Sequence, residues 1–101
     1  MPITSQVSDS GRDLAIHVNG QFNFSVYQDF RASYTRGLQP GMTIEINLDG
    51  TEYMDSSALG MLLLLRERAL SEGAAVRITH CSPGIRKIFN IANFERLFEI
   101  S

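Results

Sequence analysis

The chain has 101 residues, 44% of them hydrophobic, and a formal net charge of -2 at neutral pH. That length suits one domain spanning residues 1–101, with enough apolar surface for a core of ordinary size. Its nine Lys and Arg are scattered, which excludes the clustered basic footprint that neutralises phosphate backbones, so no direct nucleic-acid partner is expected.

Cys81 is the single cysteine, so no internal disulfide can form and a reducing, cytoplasmic setting is expected. The start, Met1-Pro2-Ile3-Thr4-Ser5-Gln6, lacks a basic stretch followed by an apolar run. The longest apolar block, from Ala58 to Leu65 and broken by Gly60, falls far short of the roughly 20 residues of a membrane span. Membrane insertion is therefore not expected.

In chain order, residues 3–7 read as a weak first strand, closed by the turn cluster Ser8-Asp9-Ser10-Gly11. Residues 13–18 alternate, with Leu14, Ile16 and Val18 on one side and His17 on the other, which predicts an antiparallel hairpin with one buried face. Asn19-Gly20-Gln21 breaks the strand. Ser25-Val26-Tyr27-Gln28 has the form of a capping box and predicts a helix from about Ser25. Val26, Tyr27, Phe30 and Tyr34 keep helical spacing, and Gly37 is expected to close the helix in a left-handed conformation. After the turn Gln39-Pro40-Gly41, residues 42–48 alternate strictly and predict a third strand, reached by a helical crossover and hence parallel to the second.

The next stretch organises the molecule: an alternating apolar run, a polar break from Asp49 to Ser57, then the leucine-rich segment from Ala58 to Ala69. It reads as strand, loop and helix, with Asp55, Ser56 and Ser57 at the helix start, where Asp and Ser satisfy orphan N–H groups and the dipole tolerates an anion. On a wheel Ala58, Leu62, Leu65 and Ala69 form a core stripe, while Gly60, Glu67, Arg68 and Ser71 lie opposite with Leu64 among them. Leu64 is either an ordinary exposed leucine or part of a docking surface. Asp49, Glu52 and Asp55 crowd the preceding loop; such acids are ordinarily just solvated, and beside a phosphoacceptor they would also sharpen charge repulsion.

Gly73 ends this helix, and residues 74–79 supply another strand. Ser82 then caps a third helix with Pro83 at its first position and Ile85, Ile88, Phe89 and Ala92 inward. Phe94, Leu97 and Phe98 continue the spacing into a last short helix. The expected fold is α/β, a small mixed sheet with helices packed on one side, in the order β-β-α-β-α-β-α-α.

Catalytic constellations are missing from the pattern. Ser56 has Met54 and Ala58 where a hydrolase elbow places glycines, and His17 and His80 have no recognisable partners. His80 and Cys81 are adjacent, a poor spacing for one metal ion, and no phosphate-cradling glycine loop is present. No enzyme activity, cofactor or metal is expected.

The string Met54-Asp55-Ser56-Ser57-Ala58-Leu59-Gly60 resembles the signature of STAS domains, above all the small bacterial anti-sigma factor antagonists, whose similar segment carries a regulatory phosphoserine. Ser82-Pro83-Gly84-Ile85-Arg86-Lys87-Ile88-Phe89 resembles the family's Ser-Pro segment that opens a helix. Departures are Ala58 in place of a usual Gly, Asn47 in place of a frequent Asp, and Gln21-Phe22-Asn23 in place of a Glu-Leu-Asp type string. The resemblance implies a partner-switching cycle. The unphosphorylated protein would capture an anti-sigma factor that is also a serine kinase, phosphorylation at Ser56 (Ser57 as second choice) would release it, and a serine phosphatase would reset it. The implied partner surface comprises Asp55, Ser56, Ser57, Leu59, Gly60 and Leu64. Family members also serve as non-enzymatic scaffold subunits of transporters or large signalling assemblies without such a switch.

Overall fold

The computed structural model describes residues 2–101. Strand β1 (Ile3–Val7) and strand β2 (Asp13–Val18) form the expected antiparallel hairpin, with Ile3 opposite Val18 and Val7 opposite Leu14. There follow strand β3 (Gly20–Phe22), a single 3-10 turn (Phe24–Val26), helix α1 (Tyr27–Gly37), strands β4 (Thr43–Asn47) and β5 (Thr51–Met54), and helix α2 (Ser56–Ser71). Strand β6 (Ala75–Thr79), helix α3 (Pro83–Ile91), a second 3-10 turn (Phe94–Arg96) and the two-residue strand β7 (Glu99–Ile100) complete the chain.

The main sheet has the order β1-β2-β4-β6-β7, and every pair after the hairpin is parallel. Each crossover steps one strand further in the same direction. With a constant hand of connection, such stepping puts all three helices on one face. Burial agrees: Leu14, Ile16, Val18, Ile44, Ile46 and Ile78 are sealed beneath the helices, whereas Ala15, His17, Thr43, Glu45, Asn47 and Arg77 on the other face are partly or fully exposed. On that open face Thr79 donates its hydroxyl to Glu45 Oε2 at 2.6 Å, which satisfies an otherwise buried polar group.

The core stripe of α2 is the one the spacing requires, with Ala58, Leu62, Leu65 and Ala69 at 1% exposure or less and Met61 beside them. Leu64 is 47% exposed. From α3, Ile85 and Phe89 are buried while Ile88 and Ala92 are half-buried, and Phe89, Phe94 and Phe98 stack in succession at 5.6 and 5.4 Å.

Several local expectations are corrected. The first helix is not opened by a Ser25–Gln28 capping box: Asn23 accepts the Ser25 N–H at 3.0 Å and engages the Ser25 hydroxyl, so a 3-10 turn forms first and α1 begins at Tyr27. Gly37 is not left-handed but the last residue of α1, where a Cβ would meet Leu14 Cδ1 at a tight 3.1 Å; close packing on the sheet, not backbone conformation, favours a small residue there. Asn19-Gly20-Gln21 does not merely break the second strand, because Gly20–Phe22 pairs in parallel with Thr51–Met54 as a separate two-stranded ribbon. Residues 42–48 give the shorter strand Thr43–Asn47, although Met42 and Leu48 are still buried. The last short helix is only a 3-10 turn, and the chain ends in β7. These pairings join residues far apart in sequence, which periodicity does not encode.

Leu65→Ala should lower the unfolding free energy by about 2–5 kcal/mol through lost burial and a residual cavity. Leu64→Ala should change it by no more than about 0.5 kcal/mol. Urea titration of both variants decides the point, and similar losses from both would contradict the packing described.

Candidate functional site

The β3–β5 ribbon builds the site. Gly20, at φ 82°, takes a left-handed turn that only glycine adopts without strain, and its N–H donates to the Gly50 carbonyl at 2.8 Å. Thr51, 5% exposed, gives its hydroxyl to the Val18 carbonyl at 2.7 Å, tying the start of β5 to the end of β2. Phe22 and Met54 pair across the ribbon and turn inward, so the chain emerges at Asp55 beside the Phe22 carbonyl, with the N–H of Asp55 3.5 Å from it.

Asp55 is the N-cap of α2, with extended backbone angles φ -117° and ψ -175°. One carboxylate oxygen, Oδ1, accepts three hydrogen bonds: from the Ser57 N–H at 3.0 Å, the Ala58 N–H at 3.2 Å and the Ser57 hydroxyl at 2.6 Å. Two of the orphan amides that open the helix are thereby satisfied. The Ser57 hydroxyl chiefly, and the amides of Ala58 and Ser57 in addition, hold the Asp55 carboxyl below the usual carboxylate range against an opposing desolvation.

The two serines are thus unequal. Ser57 is half-buried and its hydroxyl is committed to Asp55. Ser56, the first residue of α2, is exposed, and its hydroxyl has no hydrogen-bond partner among the described residues. The structure brings Asp55, Ser56 and Ser57 together at the helix start, with Leu59 half-buried and Gly60 exposed one turn on. Leu64 lies exposed two turns along.

The sequence reading missed further exposed apolar residues on α2 and on the ribbon and the turn that follows its first strand. Leu63, 38% exposed, is seven residues from Ser56, almost two full turns, and so lies on its side of the helix; the same wheel that singled out Leu64 contained that signal. Tyr53, 53% exposed, projects from β5 opposite to the buried Met54, and could be read as outward only once residues 51–54 are known to be a strand. Phe24 is exposed and stacks on Tyr27 at 5.2 Å in the turn after β3.

The carboxylates of the expected acidic loop are spread out: Asp49 in the turn after β4, Glu52 on β5 and Asp55 at the cap. Among the described residues no three His, Cys, Asp or Glu side chains are grouped as metal ligands. His80 is exposed at φ 60° at the end of β6, and Cys81 is half-buried with its thiol raised by burial. Among the described residues no helix is long and apolar enough to cross a membrane.

A small mixed sheet covered on one face by three helices, with an Asp-capped serine pair opening the second, is the architecture of a STAS domain. The chain belongs to the STAS domain family, whose model matches residues 4–101. It is 46% identical over 101 residues, 100% of both chains, to a STAS-domain containing protein of Pseudomonas aeruginosa strain UCBPP-PA14. Among solved structures, an anti-sigma-factor antagonist (STAS) domain protein from Planctomyces limnophilus is similar with a TM-score of 0.80 at 17% identity, covering 97% of this chain and 87% of that one. The anti-sigma factor antagonist SpoIIAA in its unphosphorylated form is similar with a TM-score of 0.72 at 17% identity, covering 98% and 86%. Its phosphorylated form, from Bacillus, gives 0.64 at 19%, covering 98% and 90%. A sulfate transporter family protein from Wolinella succinogenes gives 0.76 at 16%, covering 94% and 80%. At these identities the likeness is one of fold.

The Asp55 cap should show in the pH dependence of stability. Because its folded-state pKa is depressed, the folded chain binds fewer protons than the unfolded one, so the contribution is complete at neutral pH. It is lost as pH falls below the ordinary Asp value of about 4 and through the depressed folded value. Asp55→Ala should therefore melt below wild type at pH 7, with the gap in Tm closing toward pH 2. A gap that stays constant across this range would show that the charge on Asp55 does not contribute.

Proposed function

We propose that this protein is an anti-sigma factor antagonist that works by partner switching, with Ser56 as its phosphoacceptor. The observation that carries the reading is the division of labour at the start of α2: Asp55 binds the Ser57 hydroxyl and leaves that of Ser56 free and exposed. The occurrence of SpoIIAA in phosphorylated and unphosphorylated forms on the same fold supports it. In this reading the unphosphorylated protein binds an anti-sigma factor that is also a serine kinase, and so frees the sigma factor. It acts in the cytoplasm by binding and not by catalysis, and a serine phosphatase resets it. Asp55, Ser56, Ser57, Leu59, Gly60 and Leu64 form the contact surface, joined by the exposed Leu63 and Tyr53.

Phosphate on Ser56 adds about -1.5 to -2 charges at neutral pH. The amides of Ser57 and Ala58 already bond to Asp55, so the added group stays in solvent and gains from the helix dipole only about 0.3–1 kcal/mol. The domain remains folded. A partner surface shaped for a hydroxyl would have to bury a strongly hydrated dianion beside the Asp55 carboxylate, at a cost of several kcal/mol, where about 1.4 kcal/mol is already tenfold in affinity.

The similarity to a sulfate transporter family protein favours a second reading, a STAS scaffold subunit of a transporter or larger signalling complex that is never phosphorylated. The two readings part at Ser56. Under partner switching, calorimetry with the anti-sigma factor should show Ser56→Ala binding as wild type, Ser56→Asp binding more weakly, and the phosphorylated protein not binding, while circular dichroism stays native for all. Equal affinities for the three forms, or an unfolded phosphoprotein, would sink the switch.

Leu64→Ala should weaken the same complex by about 1 kcal/mol or more at little cost to stability. Unchanged affinity would take Leu64 out of the interface.

A further inference from the structure

Away from the serine site, the sheet ends in an uncovered edge. Four of the five residues of β1 are exposed, and the strand Ile3-Thr4-Ser5-Gln6-Val7 carries no charge and no internal proline, the usual devices that keep a sheet edge from pairing. The hydrogen bonds fix which backbone groups face outward. Asn19 N–H donates to the Pro2 carbonyl at 2.8 Å and Ser8 N–H to the Asp13 carbonyl at 2.9 Å, so the even-numbered residues of β1 are bonded to β2. By the alternation of an antiparallel pair, the N–H and C=O groups of Ile3, Ser5 and Val7 point away from the sheet.

We infer that β1 is a self-association edge, at which a second copy of this chain adds its own β1 antiparallel about a two-fold axis through Ser5. Among antiparallel registers that oppose outward-facing groups, the one centred on Ser5 is the register in which all three residues pair, Ile3 with Val7, Ser5 with Ser5 and Val7 with Ile3. The side chains suit it. The branched apolar pairs fall on the helix side, where Ile3, Ser5 and Val7 lie opposite Val18, Ile16 and Leu14, and Thr4 faces Gln6 on the open side.

The flank of α1 supplies a second, independent match. A cleft of about 190 Å³ between β1 and α1 is lined by Ile3, Ser5, Asp29, Ala32, Ser33 and Arg36, which places those helical residues along the same edge. Helix α1 runs in the sense of β1, since its last residue, Gly37, lies over Val7, with a Cβ there 3.6 Å from Val7 Cγ2. The centre of β1 therefore corresponds to the middle of α1, between Ala32 and Ser33. The axis through Ser5 brings Asp29 of one copy toward Arg36 of the other, twice, with small residues between them. Strand β5, which leads to Ser56, pairs with β3 as the continuation of the β2–β4 pair, so the line of β2 and β3 lies between it and this edge, and each copy keeps its serine exposed.

Sedimentation velocity on the full chain, in a concentration series up to about 1 mM, detects association as weak as millimolar. A concentration-dependent dimer is expected. Ser5→Pro removes an outward N–H and no bond within the chain, a substitution edge strands tolerate, and should give a folded monomer by circular dichroism. Asp29→Arg and Arg36→Asp should each raise the dimer Kd at least tenfold, and the double exchange should restore it toward wild type. The exchange opposes the dipole of α1 and should not raise its melting temperature, so recovered dimer cannot be mistaken for recovered stability. The charge variants decide the matter should Ser5→Pro fail to fold. Wild type that stays monomeric throughout overturns the inference and leaves the edge to a different partner. A dimer indifferent to a folded Ser5→Pro, or to the single charge changes, overturns it as well.

Discussion

A single carboxylate oxygen organises the start of the second helix. Asp55 Oδ1 takes two backbone amides and the Ser57 hydroxyl at once, and each bond has a separate consequence. The amides settle where α2 begins. The hydroxyl bond removes Ser57 from competition and sets it half inside, which leaves its neighbour as the hydroxyl offered to solvent. Two adjacent serines with the same chemistry in sequence become structurally different because one acceptor can reach only one of them.

That carboxylate is in place because of a discontinuity in the sheet. The two central parallel strands pair as β2 with β4, interrupt, and pair again as β3 with β5. The hydroxyl of Thr51 bridges the interruption to β2, and the ribbon then delivers Asp55 past the end of the main sheet. In parallel α/β architecture the carboxyl ends of strands and the amino ends of the following helices meet on one side, which is where such folds present their sites. The short ribbon lifts that junction clear of the core, so Tyr53, Ser56, Gly60, Leu63 and Leu64 stand on solvent-facing backbone while Met54, Ala58, Met61 and Leu62 anchor the same segment.

The sheet itself is one-sided. Its helix-covered face is aliphatic and closed, and its other face carries Glu45, Arg77, His17, Asn47 and Thr79, with Glu45 bonded to Thr79 and 3.8 Å from Arg77. A polar face needs no cover, which lets a chain of 101 residues devote all three helices to one layer. Of the two edges of the main sheet, β1 and the two-residue β7, the edge at β1 is the longer run of backbone groups left without protein partners by the topology.

Much of this was legible in the residues alone. Alternation set out β2 and β4 with their buried sides, turn residues bounded β1 and β6, helical spacing gave the inward stripe of α2, and Ser82-Pro83 marked the start of α3, because these patterns record the period of a local conformation against one core. The acid followed by two serines before a leucine-rich run marked the start of α2 to within a residue. Tertiary structure alone decided the rest: β3, β5 and β7 are too short for any period to show and exist because a distant strand supplies their hydrogen bonds, and Asn23 took over the cap expected of Ser25 because the ribbon brings the chain into the helix from that direction. The same holds for the serines. Sequence determined that Ser56 and Ser57 open a helix beside an acid, but which hydroxyl stays free depends on where the Asp55 carboxylate points, and that direction is imposed by strands paired across more than thirty residues.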